Sequence, residues 1–167
     1  MEVPALTAFA HWLGATPAAS WINQSTWIWP FCETLHFIGL SLVLGITGFF
    51  DLRLMGFFPR VPIAAARELM PVALVGFAMN AATGLVFLIA LPEQYVHNRV
   101  WWYKAGFLML AGLNALIYET RLSAHVLAIE PGGDTPAAVK LIGAVSLVSW
   151  LAVLYCGRML PFLGDAY

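Results

Sequence analysis

The chain has 167 residues, of which 61% are hydrophobic and only 10% charged, with a mean hydropathy of +0.81. A water-soluble domain of this size carries about 25% charged residues to cover its surface, so eight basic and nine acidic side chains exclude a soluble enzyme. A net charge of −1 without a basic stripe excludes nucleic acid as a partner, and the hydrophobicity excludes disorder. What remains is an integral membrane protein.

The first 25 residues begin with Glu2 and offer no basic region ahead of an apolar core, so they do not read as a signal peptide. Leu6, Phe9, Ala10 and Leu13 recur at helical spacing, which predicts a short helix lying on the membrane surface. Four stretches then have the roughly 20 apolar residues a spanning helix needs. They run from about Thr26 to Phe50, Pro71 to Leu91, Val100 to Tyr118 and Lys140 to Leu160. Pro71 marks or kinks the start of the second. Asn98 is placed to cap the third, and Thr135 with Pro136 reads as an N-cap followed by proline at the first helical position. Between the last two spans, Leu122, His125, Val126 and Ile129 share one helical face, and the run Pro131-Gly132-Gly133-Asp134 ends that segment. No internal repeat is visible. The expected fold is all-α, a single four-helix membrane bundle over residues 1–167 with an interfacial N-terminal helix.

Orientation follows from Lys and Arg. Arg53, Arg60, Arg67, Arg121 and Lys140 gather at one end; Arg99, Lys104 and Arg158 gather at the other, and the first 28 residues add none. The five-charge end is expected to be cytoplasmic, with both termini outside. Trp21, Trp27, Trp29, Trp101 and Trp102 then form an aromatic belt at the outer interface.

Ionisable groups within spans are costly and mark sites. Glu33 and His36 stand one turn apart on the first span; Lys104 and Arg158 fall near the same depth on the third and fourth. An ion pair of Glu33 with Lys104 is one reading of this cluster, and snorkelling of Lys104 and Arg158 to the headgroups is another. His36 is too deep to snorkel. Imidazole is a common haem, metal or quinone contact, although a hydrogen bond to Asn80 or Trp150 would also account for it. Asn80, with Gly76 and Gly84 at steps of four, lies on a small-residue face suited to close packing, and Asn114 is placed to meet it. Cys32 and Cys156 allow a metal site with His36, a disulfide, or two small apolar fillers. His11 and His97 read as solvated, and His125 is given no role.

The text Trp29-Pro30-Phe31-Cys32-Glu33-Thr34-Leu35-His36-Phe37-Ile38-Gly39-Leu40, running on to Asp51-Leu52-Arg53-Leu54-Met55-Gly56, resembles a family of uncharacterised bacterial four-helix membrane proteins. That family is distantly similar to CopD-type and cytochrome b561-type bundles. Ala111-Gly112-Leu113-Asn114-Ala115-Leu116 and Gly157-Arg158 fit the same pattern. The b561 likeness implies haem b held between histidines on different helices. The chain departs from it, since no second histidine falls within an expected span, and Met79, Met109 or His97 would have to serve.

The leading expectation is a redox subunit of the bacterial inner membrane that binds haem b or a quinone through His36. Lys104, Arg99 or Arg158 would neutralise propionates or hydrogen-bond a quinone carbonyl, and Trp29 and Trp150 would pack on a porphyrin. An accessory subunit without chemistry is the alternative, its aromatics and small-residue faces packing on other membrane subunits or a second copy. A small transporter, with Glu33, His36 and Lys104 as a relay, is a third.

Overall fold

The computed structural model describes residues 4–130 and 132–163; Glu2 and Pro131 lie outside them. Two short helices come first, α1 (Pro4–Gly14) and α2 (Pro17–Gln24), followed by the long α3 (Ile28–Leu54). The short α4 (Ile63–Arg67) leads into α5 (Met70–Ala90), and the short α6 (Pro92–Val96) leads into α7 (Arg99–Ile117). A π-helical turn (Tyr118–Leu122) joins α7 to the short α8 (Ser123–Leu127), and α9 (Ala137–Met159) is last. No strand occurs among the described residues.

Four helical stretches are long and apolar enough to cross a membrane: Ile28–Leu54, Ile63–Ala90, Arg99–Leu127 and Ala137–Met159. Between 17% and 28% of an apolar 18-residue window in each is buried inside the protein, so most apolar side chains face outward, as those of membrane-crossing helices do. The protein is a multi-pass helical membrane bundle. α3 packs against both α5 and α9, and α9 packs in turn against α7.

Glycine sets both of α3's close approaches. A Cβ on Gly39 would stand 2.6 Å from the Gly76 carbonyl oxygen, and one on Gly76 would stand 2.7 Å from that of Gly39. One on Gly143 would come 2.7 Å from the Asp51 carbonyl oxygen. Of the expected small-residue face, Gly76 makes the crossing, whereas Gly84 faces open space.

At one end, α1 packs on α6, and α2 lies on α5, where Asn23 donates to the Ala90 carbonyl at 2.9 Å. The surface helix is thus present, with Ala10 fully buried and Leu6 and Leu13 half-buried. It breaks where Thr16 turns the chain, donating to the Leu13 carbonyl and accepting from the Ala19 amide as cap of α2. Trp21, Trp27 and Trp102 are exposed, while Trp29 and Trp101 are partly covered. Asn98 caps α7 as expected, accepting from the Val100 amide at 2.9 Å, and its amide nitrogen donates to the Leu160 carbonyl at 3.0 Å.

The other end holds the main buried cluster: Phe50, Leu54, Ile63, Ala66, Tyr118, Val126 and Val139, with Leu122 and Ile129 packed against it. The expected apolar face over 122–129 is used in this way, with His125 exposed. Two expectations are corrected at this end. The first span does not stop at Phe50, because α3 carries Asp51 and Arg53 into the interior at 3% and 1% exposure. Arg53 is therefore no loop charge; its Nε donates to the Val61 carbonyl at 2.6 Å. Thr135 does not cap α9 either. Its hydroxyl donates to the Leu54 carbonyl at 2.7 Å, a buried acceptor at the end of α3, and α9 starts after Pro136. Lys140 reaches both Asp134 oxygens, at 2.7 and 2.9 Å. That hydrogen bond, with one from the Thr135 amide, holds the exposed Asp134 carboxyl below its usual range.

Candidate functional site

His36 lies on the third turn of α3, in the half of the bundle nearest α1 and α2, and is half-buried. Its Nδ1 is 2.7 Å from the hydroxyl oxygen of Thr83 on α5. That hydroxyl is also 2.8 Å from the carbonyl oxygen of Met79, one turn back on its own helix. A carbonyl can only accept, and a threonine hydroxyl has one proton to give. One hydroxyl proton cannot serve both contacts: given to Met79, it leaves the Thr83 oxygen to accept from Nδ1–H, and given to Nδ1, it puts the ring proton on Nε2. The first of these tautomers leaves a lone pair on Nε2. Metal-bound histidines have this arrangement, their second nitrogen held by a hydrogen bond that fixes tautomer and ring orientation.

The partner is Thr83 rather than Asn80 or Trp150. Asn80 bonds within its own helix, its amide donating to the Gly76 carbonyl at 3.0 Å, and its buried Oδ1 has no hydrogen-bond partner. Trp150 packs edge-on against Phe77, with ring centroids 6.3 Å apart. Asn114 does not meet Asn80; it donates to the Ile142 carbonyl on α9 at 3.0 Å. A tilted aromatic row leads outward from the imidazole, from His36 to Phe87 at 5.6 Å and from Phe87 to Trp29 at 4.9 Å.

Lys104 comes from α7 and is half-buried beside Cys156 and Gly157 of α9; a Cβ on Gly157 would be 3.6 Å from its Nζ. It lies within electrostatic reach of His36. The ion pair expected between Glu33 and Lys104 is absent. The pairs formed among the described residues are His11–Glu93, Arg67–Glu119 and Lys140–Asp134. The reason is rotation of the helix: Glu33 is exposed on α3 near Tyr95, whereas Lys104 turns inward against α9. Arg158 is also exposed, stacked over the Phe162 ring at 5.0 Å, and Arg99 is exposed at the start of α7. Both cysteines are buried free thiols. No three metal-ligating side chains converge among the described residues, so Cys32, His36 and Cys156 do not form one site.

With Nδ1 protonated, His36 would offer Nε2 to a haem iron. Met109 is 76% exposed on the outer face of α7, and His97 is exposed in the loop before α7. Met79 sits at the Gly39 crossing, its Cβ 3.2 Å from where a Gly39 Cβ would be.

Thr83 was legible in principle, because steps of four and three from Gly76 run through Asn80 to Thr83 on one face. Following steps of four alone leads to Gly84, which touches nothing. Asp51 is the second polar group that hydropathy conceals. It faces Ser146 of α9, and its Oδ2 is buried without a hydrogen-bond partner.

Comparison of the chain with protein-family models, with curated proteins and with solved structures finds no match.

Proposed function

We propose that the protein is a redox subunit of the bacterial inner membrane, with both termini outside, that takes haem b or a quinone at His36. The observation that carries this reading is the Thr83 contact: it holds Nδ1 of a membrane imidazole at 2.7 Å, and Nε2 has no hydrogen-bond partner among the described residues. For haem, His36 would hold the iron, and Lys104 would supply the positive charge that a propionate needs. The group would bring one-electron chemistry. The resemblance of the helix-one motif to CopD-type and b561-type bundles belongs to the same reading.

A quinone is the second form of this reading and uses the same lysine. Lys104 is half-buried and unpaired among the described residues, within reach of the imidazole's field. With Nδ1 protonated, Nε2 and the ammonium would supply the acceptor and donor that a quinol hydroxyl and a quinone carbonyl require.

The test is a pyridine haemochrome assay on detergent-purified protein made with ample haem, repeated on His36→Ala. Colour that is lost in His36→Ala supports haem at this residue. A colourless wild type that co-purifies with quinone, and loses it in His36→Ala, supports the quinone form. Neither haem nor quinone in the wild type overturns the redox reading and leaves an accessory subunit packed against other membrane subunits or a second copy.

A further inference from the structure

The loop that follows α3 is held more firmly than its length would suggest. The amides of Gly56 and Phe57 close back onto the Arg53 and Leu52 carbonyls at 3.1 and 3.0 Å, and Val61 donates to the Phe58 carbonyl at 2.9 Å. Arg53, 1% exposed, donates from Nε to the Val61 carbonyl at 2.6 Å and from Nη2 toward the Pro59 carbonyl at 3.4 Å. The Gly132 amide adds a second donor to Pro59 at 2.9 Å. Within this staple Phe58 adopts φ 55°, in the left-handed region that an aromatic residue enters only at a cost. Such strain persists only where the surroundings over-determine it, and here a buried guanidinium does so.

The staple turns Phe57 and Phe58 outward, at 54% and 52% exposure. The Phe58 ring lies 5.8 Å from that of Phe49, a half-buried residue of the spanning α3. The exposed aromatic pair is thus continuous with the lateral, lipid-covered surface of the bundle. Two residues further on, Arg60 is exposed and joins none of the ion pairs among the described residues. Aromatic rings at the acyl–headgroup boundary with an arginine beside them match the chemistry of a phospholipid: apolar chain below, phosphate above.

We infer that Phe57, Phe58 and Arg60 form a preset wedge that seats in the lipid at this end of the bundle, with the rings among the acyl chains and Arg60 at the phosphates. The inference is independent of any ligand at His36, and of which end faces the cytoplasm.

The test places a nitroxide at position 57 or 58 of the full chain, with Cys32 and Cys156 replaced by alanine, in phosphatidylcholine–phosphatidylglycerol bilayers. Collision with oxygen, which concentrates in lipid, is compared with collision with a water-soluble nickel chelate. Labels at Leu74, 67% exposed on α5, and at exposed Glu130 give the lipid and water references. The wedge predicts an oxygen-to-nickel ratio at both positions close to that at Leu74. A ratio close to that at Glu130 overturns it. Protection from both reagents also overturns it, and points to a second copy or a protein partner over the loop. A further variant separates side chain from backbone. Phe58→Gly suits the left-handed conformation without the ring, so the fold is retained, and the label at 57 should shift toward nickel. No shift there would show that Phe58 does not seat the loop.

Discussion

The crossing of α3 and α5 at Gly39 and Gly76 is the contact on which the His36–Thr83 geometry depends, and alanine substitution tests it. A Cβ on Gly39 falls 2.6 Å from both the Gly76 carbonyl oxygen and Asn80 Nδ2, and 3.2 Å from Met79 Cβ. The Asn80 amide can swing away, but the Gly76 carbonyl is backbone. Ordinary contact begins at 3.4 Å, so the helices must part by about 0.8 Å. Overpacking of this kind costs about 1–3 kcal/mol. It is offset in part by the roughly 0.5–1 kcal/mol that alanine gains over glycine within a helix. Gly45→Ala and Gly112→Ala remove that ambiguity, because nothing lies within 4 Å of either Cβ position. The expected outcome is a gap of about 1–3 kcal/mol between Gly39→Ala and Gly45→Ala, read from SDS-titrated unfolding in mixed micelles. Gly76→Ala, whose Cβ would stand 2.7 Å from the Gly39 carbonyl oxygen and 2.8 Å from Leu42 Cβ, should behave like Gly39→Ala. The double variant should cost less than the two single losses together, since both methyls wedge the same contact. Equal stability of Gly39→Ala and Gly45→Ala would refute the crossing, and with it the register that brings Thr83 to His36.

Three further outcomes are expected. A periplasm-active reporter fused at the C-terminus should give signal, because Arg60, Arg67, Arg121 and Lys140 sit at the opposite end from Arg99, Lys104 and Arg158; signal only from a cytoplasm-active reporter reverses the orientation. Arg53→Met leaves the Val61 carbonyl without its side-chain donor, a loss on the order of 1–3 kcal/mol for that group alone; the same unfolding titration reads it, and an unchanged midpoint would show that the staple contributes nothing. Tyr95, on the short α6 between the second and third spans, has its phenol raised above 10.0, first by burial and then by the Glu33 carboxylate. The folded state therefore holds that proton more tightly than the unfolded chain, so the stabilisation is complete below 10.0 and is lost as pH rises through the elevated value. Tyr95→Phe should flatten the alkaline limb of thermal stability, and an unaltered limb would place the titrating group elsewhere.

The spans were legible because length and apolarity suffice for them, and Asn98 and Pro71 marked two starts with ordinary capping chemistry. What the sequence hides is rotation about each helix axis. In water an amphipathic stripe shows which face is inward; here lipid accepts apolar side chains on the outward faces too, so the stripe vanishes. Glu33 and Lys104 match in depth, yet one is exposed and the other is turned against α9, and depth alone could not separate those cases. The glycine steps were the better guide, because a helix without a Cβ at the crossing can present only that face to its neighbour. Gly76 leads through Asn80 to Thr83, and Gly39 stands three residues from His36, so the small-residue contact and the polar contact lie on one surface. Hydropathy misplaced the end of the first span for a related reason. It stops at the first charges, whereas Arg53 stays inside because the Val61 and Pro59 carbonyls accept from its guanidinium, and Asp51 stays inside facing Ser146 of α9. A charge at the edge of an apolar run is therefore not evidence of solvent: Asp51 and Arg53 end the first span from inside the protein, whereas Glu33, within the same helix, is exposed.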